Sequence, residues 1–244
     1  MSRVSRFYCV LKDDFGKSFF SLLLFSLTVM PFVIWLSPDT VPFKFLQFWH
    51  VRGSFSDWIV SALPLFVWGF ALAGTVAVCT RNNWDTNLHA ERIIGAGTAI
   101  SIWAGVVEEI SFRWLFVLSY VVLLKVSNFL FFGWLGFGIA EWLNGVIFIP
   151  VTNFLTVGFL EPFLYQPGGW AVGGAIIASN ALFRNGHKYQ GLFGFLNSWF
   201  CGMYFFWIMF TYGLLAAILV HFLYDLLIFT THYIDAVIER AQGK

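Results

Sequence analysis

Long apolar runs separated by short polar breaks set the pattern of this chain. The first run, Ser18 to Leu36, is long enough to span a bilayer; a spanning helix takes about 20 residues, against roughly 7–15 for the core of a signal peptide. It stops at Ser37-Pro38-Asp39 with no small-residue cleavage site, so it reads as an uncleaved anchor. A second run follows from Trp58 to Cys79, with Pro64 near its start. The third, Ile93 to Leu124, would measure about 48 Å as one helix, against a bilayer core of about 30 Å. It is therefore expected to tilt, to break near Gly95–Gly97, or to begin as an interfacial segment. Residues 128–165 are apolar but irregular, with Gly133, Gly136, Gly138 and Pro150. They predict either one span plus a re-entrant piece or two short spans. Pro167-Gly168-Gly169 breaks the chain before the run from Trp170 to Phe183. Gly191 to Phe229 is apolar throughout except for a plausible turn at Thr211-Tyr212-Gly213, which predicts two tightly connected spans.

The fold class expected from this pattern is all-α: a polytopic membrane helix bundle with about seven or eight transmembrane helices. Residues 1–17 form a cytoplasmic N-terminal segment, 18–229 the multi-pass membrane domain, and 230–244 a polar, amphipathic tail. The basic residues Arg3, Arg6, Lys12 and Lys17 place the N-terminus in the cytoplasm and the chain in a plasma or inner membrane.

Composition sharpens this reading. The chain has 244 residues, of which 59% are apolar and only 11% charged, whereas soluble domains carry about 25% charged residues. Its partner is the lipid bilayer. A net charge of +1 leaves no basic surface for nucleic acid. Cys9, Cys79 and Cys201 are widely spaced, which speaks against both a disulfide framework and a thiolate metal site.

Against this background the ionisable residues in the apolar runs stand out. Such groups cost about 2.5–3.5 kcal/mol each on insertion scales, and persist where they pair or line a wet cavity. Within the third run, Glu109 and Arg113 are four apart, on one helical face and able to pair. Glu108 lies about 140° around an α-helix from Arg113. It is expected to point elsewhere and to be the carboxylate available for chemistry. His187 ends the run that contains Phe183. His221 and Asp225, four apart, share a face of the last apolar run. Each alone has a bland account as a buried ion pair, an interfacial histidine or an intrahelical hydrogen bond. Three helices each carrying such groups make the joint bland account less probable.

Two chemistries fit. In one, Glu108 is a general base that activates water with His187, and His221 donates to a tetrahedral oxyanion. In the other, Glu108, His187 and His221 hold a Zn²⁺ and its water. The metal-free scheme, with no cofactor, is the expectation, because nothing beside His187 in sequence offers the outer acceptor that a zinc-ligating imidazole needs. Other intramembrane hydrolase patterns are missing: there is no HExxH, no GxSG serine, and the Tyr224-Asp225 pair lacks a GxGD partner.

The order Glu108-Glu109-x-x-x-Arg113, Phe183-x-x-x-His187, His221-x-x-x-Asp225 resembles the three motifs of the CPBP family of intramembrane proteases, which includes the CAAX prenyl endopeptidases. The likeness covers residues 93–229. It implies an intramembrane endopeptidase acting on protein or peptide substrates, membrane-anchored ones included. Glu108 and His187 would activate water, His221 and residue 225 would form the oxyanion site, and Glu109, Arg113 and Phe183 would support them. Family members have been described both as metalloproteases and as glutamate proteases. Three features depart from the family. Asp225 stands where CAAX-type enzymes have Asn, and an ionised Asp cannot donate a hydrogen bond. Trp114 replaces the usual Gly after the Arg and is expected to narrow the cavity. The interval between Arg113 and Phe183 is long, with room for an element that covers the site. The rival readings are a non-proteolytic family member acting as an immunity or scaffold protein, and a small proton-coupled transporter, which inverted repeats would favour; no internal repeat is apparent.

Overall fold

The computed structural model describes residues 14–80, 90–165 and 169–241. The described residues contain helices and no strand, as apolar runs buried in lipid require, since a helix satisfies its own backbone polar groups. The basic segment before Asp14 and the Pro167-Gly168 break lie outside them.

The first apolar run forms α1 (Asp14–Leu27) and α2 (Val29–Leu36). α3 (Phe55–Thr80) carries Pro64 in its second turn or beyond without ending. α4 (Ala90–Glu108) passes through a π-helical turn (Glu109–Leu115) into α5 (Phe116–Leu130). Gly95 and Gly97 do not break this helix. The change of register falls instead on the segment with the two carboxylates and the arginine. α6 (Ile139–Leu143), a second π-helical turn (Asn144–Phe148) and α7 (Ile149–Leu155) make one short apolar rod, followed by the single turn α8 (Glu161–Leu164). α9 (Trp170–Gly186), α10 (Gly191–Tyr212) and α11 (Leu214–Ala241) complete the chain. The described part of the polar tail, residues 230–241, continues α11 without a break.

Among the described residues, four helices are long and apolar enough to cross a membrane: Phe15–Leu36, Phe55–Thr75, Ile94–Leu130 and Leu214–Ile238. The rod Ile139–Leu155 is shorter, about 26 Å at the helical rise. That is why residues 128–165 read ambiguously from sequence.

The continuous helix α4–α5 is the spine. Its first half packs on α11, which α3 flanks on another side; its second half packs on α9. The π-helical turn lies between these two contact zones and touches α9, α10 and α11. Gly105, one turn before Glu109, allows the close crossing. A Cβ there would stand 2.9 Å from the carbonyl oxygen of Ile218 and 3.2 Å from the amide nitrogen of Phe222. The α10–α11 turn is tight for a similar reason. Gly213 has φ +105°, and a Cβ on it would meet the His50 carbonyl at 2.5 Å. Arg52 also ties this turn down, its backbone N–H donating to the Tyr212 carbonyl at 2.9 Å.

Gly105→Ala should lower the midpoint of thermal unfolding in detergent, because backbone atoms on α11 cannot move aside as a side chain would. Gly95→Ala meets nothing within 4 Å and should leave the midpoint unchanged or raise it, given the helix preference for Ala over Gly. Equal midpoints for the two variants would contradict the tight α4–α11 crossing.

Candidate functional site

The site is built around the π-helical turn. In such a turn the backbone bonds to the fifth residue back, and the Phe116 N–H reaches the Ser111 carbonyl. The register shift frees carbonyl oxygens. Ser179 on α9 serves one of them, its hydroxyl donating to the Phe112 carbonyl at 2.5 Å. This ties α9 to the turn just above Phe183.

Glu109 and Arg113 are both fully buried, with Arg113 Nε 3.3 Å from Glu109 Oε2. The contact is an ion pair off the hydrogen-bond line: neither of these two atoms has a hydrogen-bond partner, and the two Nη atoms have none either. Aromatic faces surround the guanidinium instead. Its carbon lies 4.1 Å from the Phe183 ring centroid, 5.4 Å from that of Phe206 and 5.5 Å from that of Phe205. Ring quadrupoles attract a desolvated cation, which gives Phe183 a physical role.

The other oxygen of Glu109 holds His221. Glu109 Oε1 lies 2.7 Å from His221 Nδ1. A carboxylate only accepts, so Nδ1 carries the proton and donates it, and in the neutral ring Nε2 is an acceptor. Phe205 stacks on the same ring at 4.4 Å. Around Nε2 stand two more carboxylates, Asp225 Oδ2 at 3.7 Å and Glu108 Oε2 at 3.9 Å. Asp225 is therefore near His221, as the four-residue spacing predicts, but Glu109 rather than Asp225 orients the ring. Glu108 and Glu109, expected to diverge, approach the same imidazole from its two nitrogens. The expectation used α-helical pitch, and the π-helical turn starts at Glu109.

His187 closes α9. Its Nδ1 is 2.9 Å from the Phe183 carbonyl, so this nitrogen too is the donor and Nε2 is left for the cavity. The outer acceptor that the flanking sequence did not offer is thus the helix's own backbone, four residues back. Among the described residues no three His, Cys, Asp or Glu side chains gather as one ion would require. As placed, Glu108, His187 and His221 do not form a ligand set.

A cavity of about 750 Å³ has His187, His221, Tyr224, Asp225, Phe205 and His232 among its lining residues; Glu108 is not in the lining and meets it only through His221 Nε2, 3.9 Å away. Trp114 is not in its lining. That indole turns away to residues 45–49, donating from Nε1 to the Phe45 carbonyl at 2.7 Å and meeting the Trp49 ring at 5.2 Å. It anchors the connection between α2 and α3 and does not narrow the cavity. The segment between Arg113 and Phe183 packs beside α9 through α5, and none of its residues lines the cavity. Lys188 is exposed and lines a separate hollow with Phe15 and Asn185.

Some polar residues here were not singled out from sequence. On α10, Asn197 accepts from Trp68 Nε1 on α3 at 2.7 Å, and Cys201 lies 3.4 Å from the Tyr224 hydroxyl. A lone amide inside the apolar run of α10 was the available signal.

No protein-family model matches this chain, and neither a curated protein nor a solved structure matches it.

Arg113→Ala should cost about 3–5 kcal/mol by leaving the Glu109 carboxylate buried beside an apolar cage. Denaturant titration in detergent reads this loss. The pair Arg113→Ala with Glu109→Gln should recover part of it, because the stranded charge is then removed. Full stability of the single variant would show that Glu109 does not depend on Arg113.

Proposed function

We propose that this chain is an intramembrane endopeptidase of the CPBP type, hydrolysing peptide bonds at or within the bilayer with a water held by Glu108 and His221. The observation that carries the reading is the buried His221, fixed through Nδ1 by Glu109, with Nε2 and the Glu108 carboxylate 3.9 Å apart. A water about 2.8 Å from each would donate one hydrogen to Glu108 and the other to Nε2. Its lone pairs would then point away from both, toward a carbonyl carbon in the cavity. As the C–O bond forms, Glu108 takes the water's proton and later delivers it to the departing amine nitrogen, which leaves with the C–N bond's electron pair. Glu109 keeps the imidazole in one tautomer, and Arg113 balances Glu109. His187 presents its Nε2 to the same cavity from the end of α9.

The substrate class is a protein or peptide held in the membrane. In this reading α9, α10 and the α6–α7 rod join the four long apolar helices to make seven crossings, with the N-terminus cytoplasmic.

The test uses the purified full chain in liposomes with a library of membrane-anchored peptides. Glu108→Gln should lower cleavage at least about 100-fold, the low end of general-base contributions, without moving the unfolding midpoint. Wild-type rates in Glu108→Gln would defeat the proposal. Metal is measured before and after exhaustive chelation. Retained activity supports the metal-free scheme, and loss restored only by Zn²⁺ would make Glu108, His187 and His221 ligands.

A further inference from the structure

The reacting end of the cavity is rich in acceptors. Asp225 lines it, Glu108 stands 3.9 Å from His221 Nε2 at its edge, and the histidine tautomers leave Nε2 of both His187 and His221 as lone pairs. A tetrahedral intermediate of peptide hydrolysis places negative charge on the former carbonyl oxygen, which needs donors aimed at it. Neither a bare imidazole nitrogen nor an ionised carboxylate can donate to it.

Tyr224 can. It lies three residues after His221, on the same face of α11, and lines the same cavity. A chain of hydrogen bonds sets its polarity. Trp68 Nε1 is donor-only, so its 2.7 Å contact makes Oδ1 the acceptor of the Asn197 amide. The Asn197 Nδ2 then faces the Tyr224 hydroxyl oxygen at 3.5 Å and donates to it. The neighbouring thiol of Cys201 reaches Asn197 Oδ1 at 3.5 Å and the Tyr224 hydroxyl at 3.4 Å. With the amide and the thiol both donating to its oxygen, the phenol hydrogen is left to point elsewhere. A developing oxyanion is a strong acceptor for it.

From this donor inventory we infer that the Tyr224 hydroxyl is a catalytic residue, the hydrogen-bond donor to the oxyanion of the scissile peptide, and that Trp68 and Asn197 are positioning residues that hold its hydrogen toward the cavity. No proton is transferred in this contact; the O–H bond stays intact while the intermediate forms and collapses. The inference rests on the proteolytic reading and assigns it a residue at an unspecified position within the third motif.

The experiment is steady-state cleavage of one membrane-anchored peptide by the full chain in liposomes. Tyr224→Phe keeps the ring and its packing, and should lower kcat about 100-fold, the loss typical of one oxyanion donor, with KM and the unfolding midpoint unchanged. Trp68 is partly lipid-exposed, so Trp68→Phe should fold. It should lower kcat about fivefold, roughly the worth of one neutral hydrogen bond. That loss should vanish when Tyr224 is already Phe, because the indole acts through the hydroxyl. A Tyr224→Phe enzyme with wild-type kcat, or additive losses in the double variant, overturns the assignment while leaving the protease reading intact. A wild-type chain that cleaves no peptide overturns both.

Discussion

Everything near the centre of this molecule depends on the two oxygens of Glu109. One faces the guanidinium of Arg113 at 3.3 Å and the other the imidazole of His221 at 2.7 Å. A lone carboxylate at this depth would be expensive enough to be neutralised or expelled. Flanked by a permanent cation on its own helix and a fixed N–H from α11, it becomes the link between the spine and the helix carrying the rest of the polar groups. The phenylalanine rings around Arg113 complete the arrangement. They surround the cation with apolar faces, in which its attraction to Glu109 is little screened.

The π-helical turn and this link explain each other. A turn with one residue more than α-helical pitch is strained and is found chiefly where function needs it. Here it lets adjacent carboxylates address the same ring from opposite nitrogens, which an α-helix would spread by about 100°. The turn sits where the spine changes partner from α11 to α9. The Ser179 hydroxyl, reaching a carbonyl that the turn exposes, keeps the second partner in register with the first.

Much of this could be read in the residues. The charged groups within apolar runs, the pairing of Glu109 with Arg113, the closeness of His221 to Asp225 and the turn at Gly213 all follow from spacing and from the cost of charge in lipid. What escaped was whatever depends on departure from ideal pitch or on contacts between distant segments. The direction of Glu108 was derived for an α-helix and altered by the π-helical turn. The acceptor for His187 is a backbone carbonyl, which sequence never displays as a residue type. The fate of Trp114 depends on a loop carbonyl at Phe45, far away along the chain. The number of crossings stayed open because residues 128–165 fold into pieces too short for length and hydropathy to decide.

The order in which the chain is made gives the arginine a second meaning. Glu109 meets its histidine across 112 positions of sequence, so in an insertion that follows synthesis the third apolar run would enter the bilayer long before α11 exists. During that interval the carboxylate has no imidazole to hold. Its neutralising charge has to come from within its own helix, and Arg113, four residues on, travels into the membrane with it. The ion pair that braces the finished site is thus also the passport that lets an acidic helix cross the threshold alone.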